Sequence, residues 1–414
     1  MPPNTTHTLS SGSTLVIEPM ANVRSAAMTW LVPAGFGWDE PNRDGRAEIT
    51  AELLMRGAGD LDSRAQADAF DRIGASRGAD PSVRFMRLSS TALGSRLPEA
   101  IKLTSDILLR PRFEEASLGP AKELAVQAID SLADDPGRRA ALAARARHNP
   151  EPYARSGMGT REGIGALTRD EVASGWARDA RPGGSILSVA GDVDPPAIIA
   201  ALEEALSGWS GAGEELPVKA DAPRGYAHEP DDSAQVQIVL LHDAPPEPHP
   251  DAPLERVVVG VLSGGMSARL FTEVREKRGL CYAVHAGYRA DRDFGTVVAE
   301  VGTAPERAQE SLDVLAAELL RINEGGITAD ELERTRVRIK SGLVFSGEST
   351  GGRAGALAND IYKLGRARSL EEIAEVYDTI TLDQVNAYLK RRTLGRVTVQ
   401  SLGPKELTMP SALG

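Results

Sequence analysis

One cysteine, Cys281, is all that the 414 residues contain. That excludes an intramolecular disulfide framework and any multi-cysteine metal site. Histidine is scarce too: the six are His7, His148, His228, His242, His249 and His285, and no two stand three or four residues apart. No helix therefore offers a pair of imidazoles on one face, as helical zinc motifs require. Basic residues are in deficit, with 47 Lys and Arg against 59 Asp and Glu and a formal net charge of -12. That balance argues against general nucleic-acid binding, which depends on neutralising phosphates, and it serves solubility before it selects a partner. No apolar run is long enough to span a bilayer. The first residues show no basic segment followed by an apolar stretch. No secretory signal is visible, and a soluble, cytoplasmic protein is expected.

The length exceeds what a single core supports, so at least two domains are expected. The start reads as strand 14–17 followed by an apolar run over 26–32, then a short helix over 47–55. A helix over 62–73 stops at Gly74, strand-like 83–93 leads into a helix over 97–109, and long helical stretches fill 118–147. Strand 185–190 and helix 196–206 close this half. The Gly-, Pro- and charge-rich stretch that follows has no periodicity. It sets a linker at 211–224 between domains 1–210 and 225–414. The second half repeats the grammar of the first. PEAIKLTSDILLR (98–110) is echoed by QESLDVLAAELLR (309–321), and LTRDEV (167–172) by ITLDQV (380–385), in the same order and at nearly the same offset. Duplication explains two ordered echoes better than chance does. The implied fold class is α+β: two homologous domains, each a mainly antiparallel sheet packed against helices.

The segment richest in chemistry is 262–284, LSGGMSARLFTEVREKRGLCYAV. A Gly264-Gly265 pair precedes a helix over 267–277 with Leu270, Phe271 and Val274 on one face, and Gly279 terminates it before Tyr282 opens a strand. Here the chain resembles the pitrilysin/insulinase zinc metallopeptidases, in particular the short-subunit branch that includes mitochondrial processing peptidase. The likeness is carried by Ala268-Arg269-Leu270-Phe271, Val274-Arg275-Glu276, Gly279-Leu280 and Tyr282-Ala283-Val284. It extends through 12–19, 34–59, the Asp134-Asp135-Pro136 turn, Gly159-Thr160 and Ala190-Gly191-Asp192-Val193. The resemblance implies two duplicated α+β domains per chain and two chains enclosing a peptide chamber. It also implies a zinc site built on H-x-x-E-H, with the Glu as general base and a Glu from a later helix as third ligand.

At that frame the chain departs from the family. Glu48, Ala51 and Glu52 stand where His, Glu and His belong, and Ala128 stands near the later ligand. Zinc hydrolysis from this chain's own domain is therefore not expected. Glu48 and Glu52, four apart, offer two oxygens to a hard cation, but a solvated or salt-bridged face is the simpler reading. Arg275 and Tyr282 are retained. In the family, residues at these positions reach toward the zinc-bound substrate: Arg offers a fixed fork of donors to peptide carbonyls and Tyr a hydroxyl to the oxyanion. Spacing alone would make Arg275 a helix-terminal cation and Tyr282 a half-buried strand aromatic. Arg269, Glu273, Glu276 and Arg278 read as a salt-bridged surface, and Cys281 as a packed side chain without an activating His. Gly-rich 347–359 lacks a phosphate loop's strand and Lys, and the resemblance, in which the comparable region lines the chamber wall, implies a flexible, substrate-facing turn there.

The resulting expectation is a non-catalytic subunit. It would hold no metal, pair with a zinc-bearing homologue as a heterodimer, grip an extended peptide and lend Arg275 and Tyr282 to the partner's site. The alternatives are a structural module, as core proteins of respiratory complexes are to this family, or a peptide-binding homodimer without proteolysis.

Overall fold

The computed structural model describes residues 4–218 and 222–413. The described residues gather into two compact units, each with its own sheet and core. In the first, six strands run in the order Thr5–Thr8, Thr14–Pro19, Ile186–Gly191, Ser25–Val32, Met86–Leu93, Gly78–Pro81. In the second, five run Gly225–Pro230, Thr398–Gly403, Val236–Ala244, Gly295–Thr303, Cys281–Ala290. Apart from the extra Thr5–Thr8 hairpin strand the two orders correspond. In each, one parallel pair joins the unit's opening strand to its closing one (Thr14 beside Ile186, Gly225 beside Thr398), and every other pairing is antiparallel. Several helices cover one face of each sheet, and a single helix packs on the other. The first core is built on Trp30, Ile49, Phe70, Leu88 and Ile101, and the second on Ile238, Leu240, Val258, Leu312 and Leu389. Each such side chain, fully buried, contributes roughly 1.5–3 kcal/mol. Among the described residues no helix is long and apolar enough to cross a membrane.

The sequence echoes have a physical basis. Thr168 caps helix Arg169–Asp179 and Thr381 caps Leu382–Arg391, each in a reciprocal box with Glu171 or Gln384 three residues on. Thr168 N–H donates to Glu171 at 2.7 Å and Thr381 N–H to Gln384 at 2.8 Å. A Thr followed by a carboxylate or amide at that spacing satisfies two orphan donors at once. The same device recurring in both halves is what the eye reads as a repeat.

The compact units do not follow the 1–210 and 225–414 division throughout. Residues 132–154 belong to the second unit and 345–369 to the first. Helix Pro136–His148 lays Ala140 and Ala144 on Val239, Leu241 and Leu402 of the second sheet. Its Arg139 pairs with Glu229 and Asp231, and His148 Nδ1 meets Thr398 Oγ1 at 3.0 Å. Helix Thr350–Leu364 lays Ala354 and Leu357 on Val16, Ala27 and Ala190 of the first sheet. The stretch expected as a flexible turn over 347–359 is thus the start of a packed helix. Ser349 caps it, and the Arg353 guanidinium is 1% exposed. Small residues there let the helix approach the strands closely, and burial outweighs the helix-propensity cost of glycine. Residues 211–218 of the expected linker form neither helix nor strand, and 219–221 lie outside the described residues.

A buried polar network makes the second unit sensitive to acid. Glu255 accepts from Arg392 at 2.8 Å and from the Tyr388 hydroxyl at 2.6 Å, and Arg392 also faces His242 Nε2 at 3.1 Å. His242 Nδ1–H donates to the Asp243 carbonyl at 2.8 Å. Both ring nitrogens are therefore satisfied only in the neutral ring, since a proton on Nε2 would oppose the guanidinium. Burial first, then Arg392, pull its pKa from 6.5 to about 4. Because the folded value is the lower one, this contribution to stability is complete above pH 6.5 and is lost as pH falls toward about 4. Urea midpoints measured across that window should fall by the equivalent of one proton taken up on unfolding. His242→Gln, which can keep both hydrogen bonds without titrating, should flatten the curve.

Candidate functional site

Arg275 and Tyr282 sit on two irregularities of the backbone. Residues Phe271–Glu276 form a π-turn, in which Lys277 N–H reaches back five residues to the Thr272 carbonyl at 2.9 Å. Leu270 and Val274, fully buried, anchor this turn to the core. Gly279 follows at φ 60°, a left-handed conformation that ends the turn without side-chain strain. Strand Cys281–Ala290 then begins with a bulge: Cys281 opposes Thr303 and Ala283 opposes Gly302, which leaves Tyr282 without a cross-strand partner. A π-turn and a bulge each re-aim one side chain, and both cluster at functional sites.

The two side chains meet. The Arg275 guanidinium lies 4.9 Å from the Tyr282 ring centroid and 4.8 Å from that of Phe271, so it is held between two aromatic faces. Tyr282 itself is 81% exposed, not the half-buried strand aromatic that spacing alone would give. Phe271 departs from the expected core face, because the wider π-turn rotates it away from Leu270 and Val274 and onto Arg275. The nearby cations are occupied: Arg269 by Glu331 at 2.7 Å, and Lys277 and Arg278 by Glu273 at 2.7 and 2.8 Å. Hydrogen bonds from Lys277 and Arg278 hold the Glu273 carboxyl at about 2. Arg275 has no carboxylate partner among the described residues. Its donors remain open to a ligand while stacking fixes their direction, an arrangement worth about 0.5–1 kcal/mol per exposed ring. Burial pushes the Cys281 thiol above its ordinary range, as suits a packed residue and not a nucleophile.

Glu48, Ala51 and Glu52 lie on helix Arg46–Leu54. Its start is tied down by Asp39, which accepts from the backbone N–H of Gly45 at 2.9 Å and of Ala47 at 3.1 Å. Gly45 is at φ 109°, and a Cβ there would meet Ile164 at 2.6 Å, so glycine is required. Glu52 gives an oxygen to Arg56 at 2.6 Å. Burial, then Glu52 and Asp80, raise the Glu48 carboxyl above the ordinary range. Ala51 is buried and apolar. Ala128 is on the exposed side of helix Glu115–Asp130, whose inward side carries Leu118, Ala121 and Ala125. These residues do not fit a zinc ion: one candidate oxygen is spent on a cation, the general-base position has no functional group, and the facing helix turns methyl groups inward. Writing the motif back with Glu48→His, Ala51→Glu and Glu52→His is therefore expected to leave the chain without zinc after dialysis, because the third protein ligand is still missing. Stoichiometric zinc by atomic emission would contradict that.

Residues 166–338 match the peptidase M16 inactive domain. The chain is 26% identical over 411 residues to an uncharacterized zinc protease of Streptomyces coelicolor, covering 96% of this chain and 89% of that one. Its fold is that of a peptidase M16 inactive domain from Pseudomonas fluorescens, with a TM-score of 0.88 at 21% identity over 99% of both chains. A chain of complex III2 from Candida albicans is also similar, with a TM-score of 0.83 at 16% identity, covering 97% of this chain and 96% of that one. Residues 166–338 are thus similar to the peptidase M16 inactive domain, and the whole chain shares the fold of solved M16-like proteins.

Proposed function

We propose that this chain is the zinc-free, substrate-gripping subunit of a heterodimeric metalloendopeptidase of the processing-peptidase-like branch, acting on peptides or leader segments. The partner supplies the metal and the general base. This chain supplies Arg275, whose fork binds a peptide carbonyl, and Tyr282, whose hydroxyl donates to the oxyanion that forms on the attacked carbonyl. The observation that carries the reading is the pair itself: a guanidinium without a carboxylate partner among the described residues, stacked on a tyrosine that is 81% exposed. An exposed aromatic held in place by a bulge has no packing role to explain it. Strands Gly78–Pro81 and Cys281–Ala290 are sheet edges, and an extended peptide gains main-chain hydrogen bonds by adding to such an edge. The lone Cys281 supports a reducing, cytoplasmic setting.

The test is to combine the chain with a zinc-bearing homologue from the same genome and record native mass, zinc content and peptide hydrolysis. The expected result is a one-to-one heterodimer with one zinc that cleaves peptides, and a chain that is inactive alone. Cleavage by the chain alone, or a homodimer that ignores the homologue, would overturn the reading. A structural role is the second reading, supported by the likeness to a chain of complex III2. It requires a large assembly by native mass and leaves Arg275 and Tyr282 dispensable.

A further inference from the structure

The π-turn that carries Arg275 is a rare backbone path, and here it has a side-chain cause. In an α-helix the Lys277 N–H would return to the Glu273 carbonyl, four residues back. It reaches Thr272 instead, and the Glu273 carbonyl accepts from Arg278 Nη1 at 2.7 Å. A guanidinium thus occupies the acceptor that the α-helical bond needs. The same nitrogen donates to Glu273 Oε2 at 2.8 Å, while Lys277 Nζ donates to Oε1 at 2.7 Å. Arg278 stands five residues beyond Glu273, a spacing that the wider turn brings together and an α-helix does not.

Both ends of the turn are anchored. Leu270 and Val274 are fully buried on one side. On the other, Leu280 N–H donates to the Val274 carbonyl at 3.0 Å, and the Leu280 carbonyl accepts from Thr303 Oγ1 at 2.6 Å, opposite the bulge that presents Tyr282. Between these anchors the Glu273–Arg278 clamp sets the width of the turn, and with it the rotation of Arg275 toward the Tyr282 ring.

We propose that Glu273 and Arg278 are positioning residues that lock the turn in its π form and so hold the Arg275 guanidinium against Tyr282. The inference rests on the reading of Arg275 and Tyr282 as a substrate-gripping pair. Neither clamp residue touches substrate in it. A partly exposed ion pair ordinarily contributes little to stability, so the effect of the clamp is expected at the site and not in the fold.

Arg278→Met tests this, because it keeps the aliphatic stem and removes every donor. Lys277 and Arg321 remain beside the Glu273 carboxylate, so no buried charge is stranded. In the full chain carrying isotope-labelled arginine, the Arg275 Nε–H resonance is identified by its loss in Arg275→Lys. Held between two ring faces, it should stand upfield of the other arginines and move toward them in Arg278→Met. Arg278→Lys, which offers a donor near the same two oxygens, should restore most of the shift. In the mixture with the zinc-bearing homologue, Arg278→Met should raise KM as Arg275→Ala does. The two substitutions together should match Arg275→Ala alone to within about twofold, since the clamp acts only through Arg275. A merely structural pair would add its own loss. An Arg275 resonance that stays in place in Arg278→Met, or losses that multiply, would overturn the proposal. The resonance needs no partner subunit, so it decides the clamp even where no mixture cleaves peptide. Turnover lost on Arg275→Ala but kept on Arg278→Met would remove the clamp and leave the functional reading standing.

Discussion

Replacing Arg353 with methionine is expected to cost about 3–5 kcal/mol, the penalty for leaving a buried carboxylate without its partner. Arg353 reaches Glu18 through a two-pronged fork, both contacts at 2.6 Å, and donates to the Arg368 carbonyl at 2.5 Å. The two side chains are 1% and 7% exposed, so solvent screens this pair little. They also pin helix Thr350–Leu364 to strand Thr14–Pro19, two elements more than 300 positions apart in the 414-residue chain. The pair differs from a surface bridge in one further respect: removing both charges should be milder than removing one. Glu18→Leu together with Arg353→Met should recover most of the loss, because no buried charge is then left unpaired. Urea unfolding of the wild type, the two single variants and the double variant measures this directly. Single variants as stable as the wild type would show that the exchanged helix is held by its apolar face alone.

The second large effect belongs to catalysis and rests on the proposed heterodimer. Tyr282→Phe in the assembled pair is expected to lower kcat by about 10²–10³, the loss seen when one oxyanion donor is removed. KM should change little, since that hydrogen bond strengthens only as the charge develops. Arg275→Ala should act differently, raising KM as well, because in the proposed role the guanidinium would grip the peptide in the ground state, and it also stacks on the tyrosine ring. Exposure makes the tyrosine variant a clean test: with the ring 81% in solvent, loss of the hydroxyl should change stability by less than about 0.5 kcal/mol.

The sequence made some of this legible for physical reasons and hid the rest for equally physical ones. The duplication was visible because Thr168 and Thr381 serve the same capping function, and caps are written in consecutive residues. Arg275 and Tyr282 stand out only through the resemblance of the segment around them, in which Leu270 and Val274 are buried and Gly279 has a positive φ; spacing alone gives a helix-terminal cation and a half-buried aromatic. The exchange of helices was not visible. The amphipathic pattern of 136–148 says that Ala140 and Ala144 face a core, but not which of two similar sheets provides it. The helix over 350–364 was masked by its glycines, which read as a turn although Ser349 is an ordinary N-cap and Ala354, Leu357 and Ala358 keep helical spacing. The stack of Phe271 on Arg275 was missed because a period of 3.6 puts Phe271 beside Leu270 and Val274, whereas the π-turn does not.

The measurement that tests the central claim most directly is peptide hydrolysis by the zinc-bearing homologue, assayed alone, with the wild-type chain, and with a chain carrying both Arg275→Ala and Tyr282→Phe. The homologue's zinc content is recorded in each mixture. A zinc-free subunit that completes its partner's site should give little turnover from the homologue alone and full turnover with the wild-type chain. The doubly substituted chain should assemble with the same mass and the same zinc yet stay near the level of the homologue alone. Equal turnover from the wild-type and doubly substituted mixtures, with both assembled, would contradict the account and make the stacked pair a surface feature without a catalytic role.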